Sequence, residues 1–169
     1  MEEKQTKNLL PKMLFFPGLL LFLALFGGFI FYCLQEPSVK AANIEDVENA
    51  VLTDAFSELT KDGTDLELKR NFGLLRDDYE ELLYRVPVNF MDVEEFLFVK
   101  VRTEAEAETV KKAMEERLSR QNEMFEDYGT DQYSVLKNTV IAVRFPYVYY
   151  IAGHEAAELH RLVRQETEE

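Results

Sequence analysis

The pattern of apolar and polar positions divides the chain near residue 40. Residues 13–34 form a run of 22 residues without a charge, MLFFPGLLLFLALFGGFIFYCL. A helix rising about 1.5 Å per residue would carry that run across roughly 33 Å, enough for the hydrocarbon core of a bilayer. The run therefore predicts one N-terminal transmembrane helix. Pro17 falls in its first turn or so, where a missing amide is tolerated, and Tyr32 lies near its far end, where interfacial aromatics gather.

Beyond residue 43 the apolar positions become periodic. Val47, Val51, Leu52, Ala55 and Leu59 share one face at helical spacing and predict an amphipathic helix over residues 44–60, closed by the turn residues Lys61-Asp62-Gly63-Thr64. Residues 66–74 are ambiguous and fit a short helix ending at Gly73. Residues 77–83 read as a short acidic helix, and residues 84–88 as an edge strand, because Pro87 has no amide to give a ladder. Residues 95–102 are the clearest strand: Leu97, Val99 and Val101 point one way, and Phe96, Phe98 and Lys100 the other. Thr103 and Glu106 make a capping box that opens a long helix to about residue 127. A small helix over residues 131–138, a hairpin of residues 139–145 and 147–152 across Pro146, and a helix over residues 154–165 follow. This order predicts an α+β fold: an antiparallel three- to four-stranded sheet with helices packed on one face, preceded by the transmembrane helix. The organisation read from it is a cytoplasmic N-terminus (1–12), the membrane helix (13–34), a linker (35–43), an extracytoplasmic domain (44–165) and an acidic tail (166–169).

Charge gives the membrane segment a direction. The chain carries a net charge of −13, yet Lys4, Lys7 and Lys12 precede the apolar run and the first basic residue after it is Lys40. Positive-inside logic places the N-terminus in the cytoplasm and the acidic domain outside a cell membrane crossed once. An alternative is secretion after cleavage near Ala41, at Val39-Lys40-Ala41. A lipid anchor on Cys33 is disfavoured by the bulky Ile30-Phe31-Tyr32 before it. The acidic domain repels nucleic-acid phosphates, so no nucleic-acid partner is expected. As the only cysteine, Cys33 excludes an intramolecular disulfide and a cysteine zinc site.

Candidate chemistry is sparse. With Val110 at zero and 100° per residue, Met114, Leu118, Phe125 and Tyr128 fall within about 80° as a core stripe, while Arg117 and Gln121 fall at about −20° and +20°, inside it. A guanidinium and an amide facing a core need partners. One reading is a buried structural network; the other is a groove in which Arg117, Gln121 and Tyr128 hold an anionic or polar ligand. His154 and Glu158 share a helix face, but two ligands are not a metal site, and His160 points elsewhere. The acidic stretches 77–81 and 92–95 lack the ligand order of a calcium loop and read as solubilising charge. Tyr147 and Tyr149 share a strand face; they either cover the sheet's second face or make a protein or glycan contact. No catalytic set, cofactor motif or metal motif is found, so neither enzymatic activity nor a cofactor is expected.

The chain resembles a family of uncharacterised extracytoplasmic domains, a domain of unknown function, from Firmicute-type Gram-positive bacteria. The resemblance runs from Ile44 to the final helix. It rests on Glu95-Phe-Leu-Phe-Val-Lys-Val, Arg117-Leu-Ser-Arg-Gln121, Phe125-Glu-Asp-Tyr128 with Asp131-Gln132-Tyr133, Val140-Ile-Ala-Val and Tyr147-Val. It implies a membrane-anchored or lipoprotein setting and a shared set of Arg117, Gln121, Tyr128 and Gln132, with no known activity. Gly129-Thr130 stands in place of a proline-bearing corner, and Phe145-Pro146 in place of a glycine-containing turn. The expectation is a single-pass, membrane-anchored, non-enzymatic module that binds an envelope protein or peptide. The alternative is an envelope small-ligand sensor or enzyme using the groove at Arg117 and Gln121.

Overall fold

The computed structural model describes residues 20–30, 41–127 and 129–168. The chain divides into two compact units, Met1–Ser38 and Val39–Glu169. In the first, residues 20–30 are helical and exposed; the rest of the expected membrane helix, residues 13–19 and 31–34, lies outside the described residues. No helix among the described residues is long and apolar enough to cross a membrane.

The second unit is α+β. Its elements are α1 (Ile44–Val51), α2 (Asp54–Leu59), β1 (Thr60–Asp62), α3 (Asp65–Phe72), a 3-10 turn (Arg76–Asp78), β2 (Glu81–Pro87), β3 (Glu95–Lys100), α4 (Glu104–Phe125), α5 (Thr130–Leu136), β4 (Val140–Arg144), β5 (Tyr147–Ala152) and α6 (Ala156–Thr167). The strands form one open antiparallel sheet in the order β1-β2-β3-β5-β4. Strand alternation divides the core in two. Tyr84, Leu97, Tyr150 and Ile141 lie in one cross-strand row and face α3, α4 and α5. Leu83, Phe98, Tyr149 and Ala142 lie in the neighbouring row and face α1, α2 and α6. Each fully buried phenylalanine, such as Phe96 and Phe98, contributes roughly 1.5–3 kcal/mol.

The architecture corrects several expectations. The sheet has five strands rather than three or four, and helices cover both faces rather than one. The predicted edge strand is internal because Thr60–Asp62, expected as the end of a helix and a turn, pairs with Arg85–Pro87 and becomes the edge. Pro87 sits at the end of that ladder, and the amide of Val88 resumes it by donating to the Leu59 carbonyl at 2.9 Å. Glu81–Leu83 is strand rather than helix, since its register against Lys100–Phe98 buries Leu82 and Leu83 on opposite faces. The helix expected over residues 44–60 breaks at Leu52 and Thr53. There the Thr53 hydroxyl accepts from Phe56 N at 3.2 Å and donates to the Glu155 carboxylate at 2.8 Å, so a new helix starts in a new direction.

Local signals set the other ends. Gly73 adopts a left-handed φ of 72° and closes α3 as expected. The full capping box is at Thr64 and Glu67, opening α3. At α4 the Thr103 hydroxyl accepts from Glu106 N, while the Glu106 carboxylate accepts from the amide of Arg102 rather than Thr103. Gly63 lies against the Tyr84 ring, where an added Cβ would sit 2.2 Å from the ring carbon Cδ1. Gly63→Ala should therefore destabilise the domain by about 1–3 kcal/mol through overpacking. Urea unfolding of the full chain checks this, and an unchanged midpoint would contradict it.

Candidate functional site

The two faces of the sheet differ in chemistry. On the face under α4, the period-two alternation that directs Leu97, Val99 and Val101 inward also directs Glu95 inward. Glu95 is fully buried. Its carboxylate accepts from Arg117 Nε at 2.9 Å, Arg117 Nη2 at 3.4 Å, the Tyr84 hydroxyl at 2.8 Å and Asn71 Nδ2 at 3.2 Å. Asn71 Nδ2 also donates to the Tyr84 hydroxyl at 2.8 Å. One carboxylate thus joins β2, β3, α3 and α4. One turn beyond Arg117, Gln121 is 3% exposed, and its Oε1 accepts from the Tyr150 hydroxyl at 2.6 Å.

Asn71, Arg117 and Gln121 of this cluster line a cleft of about 350 Å³. Glu67, Arg70 and Asn71 of α3 form one side, and Arg117, Gln121, Met124 and Phe125 of α4 the other; Lys61, the strand end Val86–Val88 and the loop residues Phe90 and Asp92 complete it. Phe90 stands at the mouth, 91% exposed. A cleft this size fits a small molecule or one or two side chains.

The sequence-predicted residues separate accordingly. Arg117 pairs with buried Glu95, Gln121 is buried against Tyr150, and both line the cleft. Tyr128 lies outside the described residues. Gln132 is half-buried on α5, its side-chain oxygen 3.0 Å from where a Cβ on Gly129 would stand, and it does not line this cleft. The suggested surface contact at Tyr147 and Tyr149 is corrected: they are 1% and 0% exposed, because α1 and α6 pack over them. The Tyr147 hydroxyl accepts from Ala42 N at 2.7 Å, and the Tyr149 hydroxyl meets His160 Nδ1 at 3.1 Å. Glu94 and Glu95 are buried rather than solubilising. Glu94 pairs with His154 at 2.8 Å, and Glu158 with Arg161. No group of three or more possible metal ligands occurs among the described residues. Glu95, Asn71, Tyr84 and Tyr150 are members of the polar cluster that the sequence reading missed. For Glu95 the signal was available in its alternation with Leu97; for Asn71 there was none.

Burial governs the protonation of this core. It pushes the Tyr84 and Tyr150 hydroxyls well above the ordinary tyrosine range, with the Glu95 carboxylate adding to the shift. Burial likewise pushes Tyr149 up to about 12 and lowers His160 below the usual histidine value.

A family model described as a domain of unknown function, DUF4358, matches residues 54–153, more than half of the chain. No curated protein and no solved structure matches it.

Two outcomes are expected. Arg117→Met leaves a buried carboxylate without its cation and should cost about 3–5 kcal/mol in urea unfolding, while Glu95→Leu combined with Arg117→Met should recover most of that loss. In alkali, the folded state holds tyrosine protons that the unfolded chain releases. The stability contributed by Tyr84, Tyr149 and Tyr150 is fully present below the ordinary tyrosine value of about 10 and is lost as pH rises through the folded values. Stability should therefore decline above about pH 10, with tyrosinate absorbance from these rings appearing only as the domain unfolds.

Proposed function

The chain belongs to the DUF4358 family of unknown function, and on that premise we propose that it is a non-enzymatic binding module held at the outer face of a cell membrane by residues 13–34. The tether rests on the uncharged run of 22 residues, on Lys4, Lys7 and Lys12 before it, and on the acidic sequence after it. A Gram-positive envelope is the setting that the motif resemblance suggests. The binding role is carried by one observation, the cleft over the Glu95–Arg117 ion pair. Its lining residues Asn71, Arg117 and Gln121 are held by bonds to Tyr84, Glu95 and Tyr150, so a ligand would meet groups already in place. The exposed Phe90 at the mouth gives an envelope protein or peptide an aromatic anchor. The second reading, a small-ligand sensor or enzyme working through Arg117 and Gln121, draws on the same cleft.

Two measurements on the full chain in cells test this. With Cys33→Ser as background, a membrane-impermeant maleimide should label Glu115→Cys and leave Lys4→Cys unlabelled; the reverse pattern overturns the topology. A photo-crosslinking residue in place of Phe90 should capture an envelope component that the same residue in place of Lys112, exposed on α4, does not capture. Equal capture at both positions, or none at either, counts against the binding role.

A further inference from the structure

We infer that the cleft is selective for an apolar group ending in a carboxylate. The inference rests on the binding reading above and names its ligand class. Two side chains of the cleft have unspent donors. Arg117 gives Nε and Nη2 to Glu95, and its Nη1 donates to no group among the described residues. Gln121 spends its oxygen on Tyr150, and its Nε2 donates to no group among the described residues. Both residues line the cleft. Lys61 and Arg70, exposed at its rim, have no carboxylate within ion-pair distance among the described residues, although Arg70 Nε reaches Asn71 Oδ1 at 3.4 Å.

Each of the two carboxylates in the lining has one oxygen engaged by a neighbour. Glu67 accepts from the Thr64 amide at 2.9 Å and the Thr64 hydroxyl at 2.8 Å; Asp92 accepts from Asn89 Nδ2 at 2.8 Å. The bonds to Thr64 lower the Glu67 carboxyl below its usual range, with Lys61 and Arg70 adding to the effect, so it stays charged and does not act as a donor. Arg117, Lys61 and Arg70 are balanced by Glu95, Glu67 and Asp92, so the cleft is close to neutral in a chain of net charge −13. A complementary ligand brings acceptor oxygens, and a carboxylate fits a guanidinium and an amide side by side.

The rest of the wall is apolar: Val86, Pro87, Val88, Phe90, Met124 and Phe125. A bare inorganic anion would leave these groups facing water. An aromatic or branched aliphatic body covers them and places its carboxylate at the donors. That chemistry is shared by a free small acid and by the last residue of a peptide chain with an apolar side chain.

Calorimetric titration of the full chain in detergent micelles tests the assignment, with 3-phenylpropionate and its neutral amide as probes. The acid should bind about tenfold more tightly than the amide or better, and Lys61→Gln with Arg70→Gln should weaken that preference. Both rim residues are exposed, so the variant should keep the circular dichroism of the parent. Without any substitution, raising salt should weaken the acid and not the amide. Equal affinity for acid and amide overturns the carboxylate assignment while leaving a binding cleft, as the crosslink at Phe90 would show independently. Gly-Gly-Phe and its C-terminal amide separate the sources: tighter binding of the free tripeptide than of 3-phenylpropionate supports a chain terminus, and the reverse supports a free acid.

Discussion

A carboxylate with no access to water sits at the middle of this domain, and the arrangement around it follows from keeping it satisfied. Removing an ionised carboxylate from solvent costs several kcal/mol unless cations and donors replace the lost water. Glu95 receives a guanidinium, a phenol and an amide, each from a different element. Those contacts fix the position of α4 along the sheet. With Arg117 anchored on β3, Gln121 is carried one helical turn further, over Tyr150 of β5. Helix α3 is held in the same way, through Asn71 below and the Phe72 ring above, which meets both Tyr84 and Tyr150 edge-on at centroid distances of 5.6 Å. The cleft is the space these two helices leave at the β1–β2 end of the sheet.

The opposite face is built differently. Phe98 stacks between Tyr147 and Tyr149, with centroids at 5.1 and 6.2 Å, and α1 and α6 close over this aromatic layer. Its few polar atoms are tied to those helices or to the chain just before them. This face has the character of a packed core, whereas the α3–α4 face has buried charge and an opening. Buried charge and open space therefore lie on the same face of the sheet.

The family match gives that division a further meaning. Residues 54–153 contain all five strands, α3, α4 and α5, and with them Glu95, Arg117 and Gln121. The helices α1 and α6, which cover much of the second face, fall outside the match. The polar cluster and the cleft belong to the shared part of the chain. The aromatic face of the sheet is completed by segments outside it.

How much of this was legible in the sequence depended on the range of the interactions involved. The alternation of β3, the start of α4 at Thr103, the end of α3 at Gly73 and the hairpin around Pro146 were readable, because each is decided by contacts within a few residues. Helical periodicity also placed Arg117 and Gln121 among core positions. The sequence could not say that Thr60–Asp62 would serve as an edge strand, since a three-residue segment becomes a strand only when Arg85–Pro87 is beside it. It could not bury Tyr147 and Tyr149, because the helices that cover them lie at the two ends of the domain. Nor could it choose between a structural and a ligand-facing Arg117. Arg117 has several donor groups; the tertiary structure gives two of its nitrogens to a carboxylate 22 residues away while the residue also lines the cleft, an arrangement that helical periodicity alone does not specify.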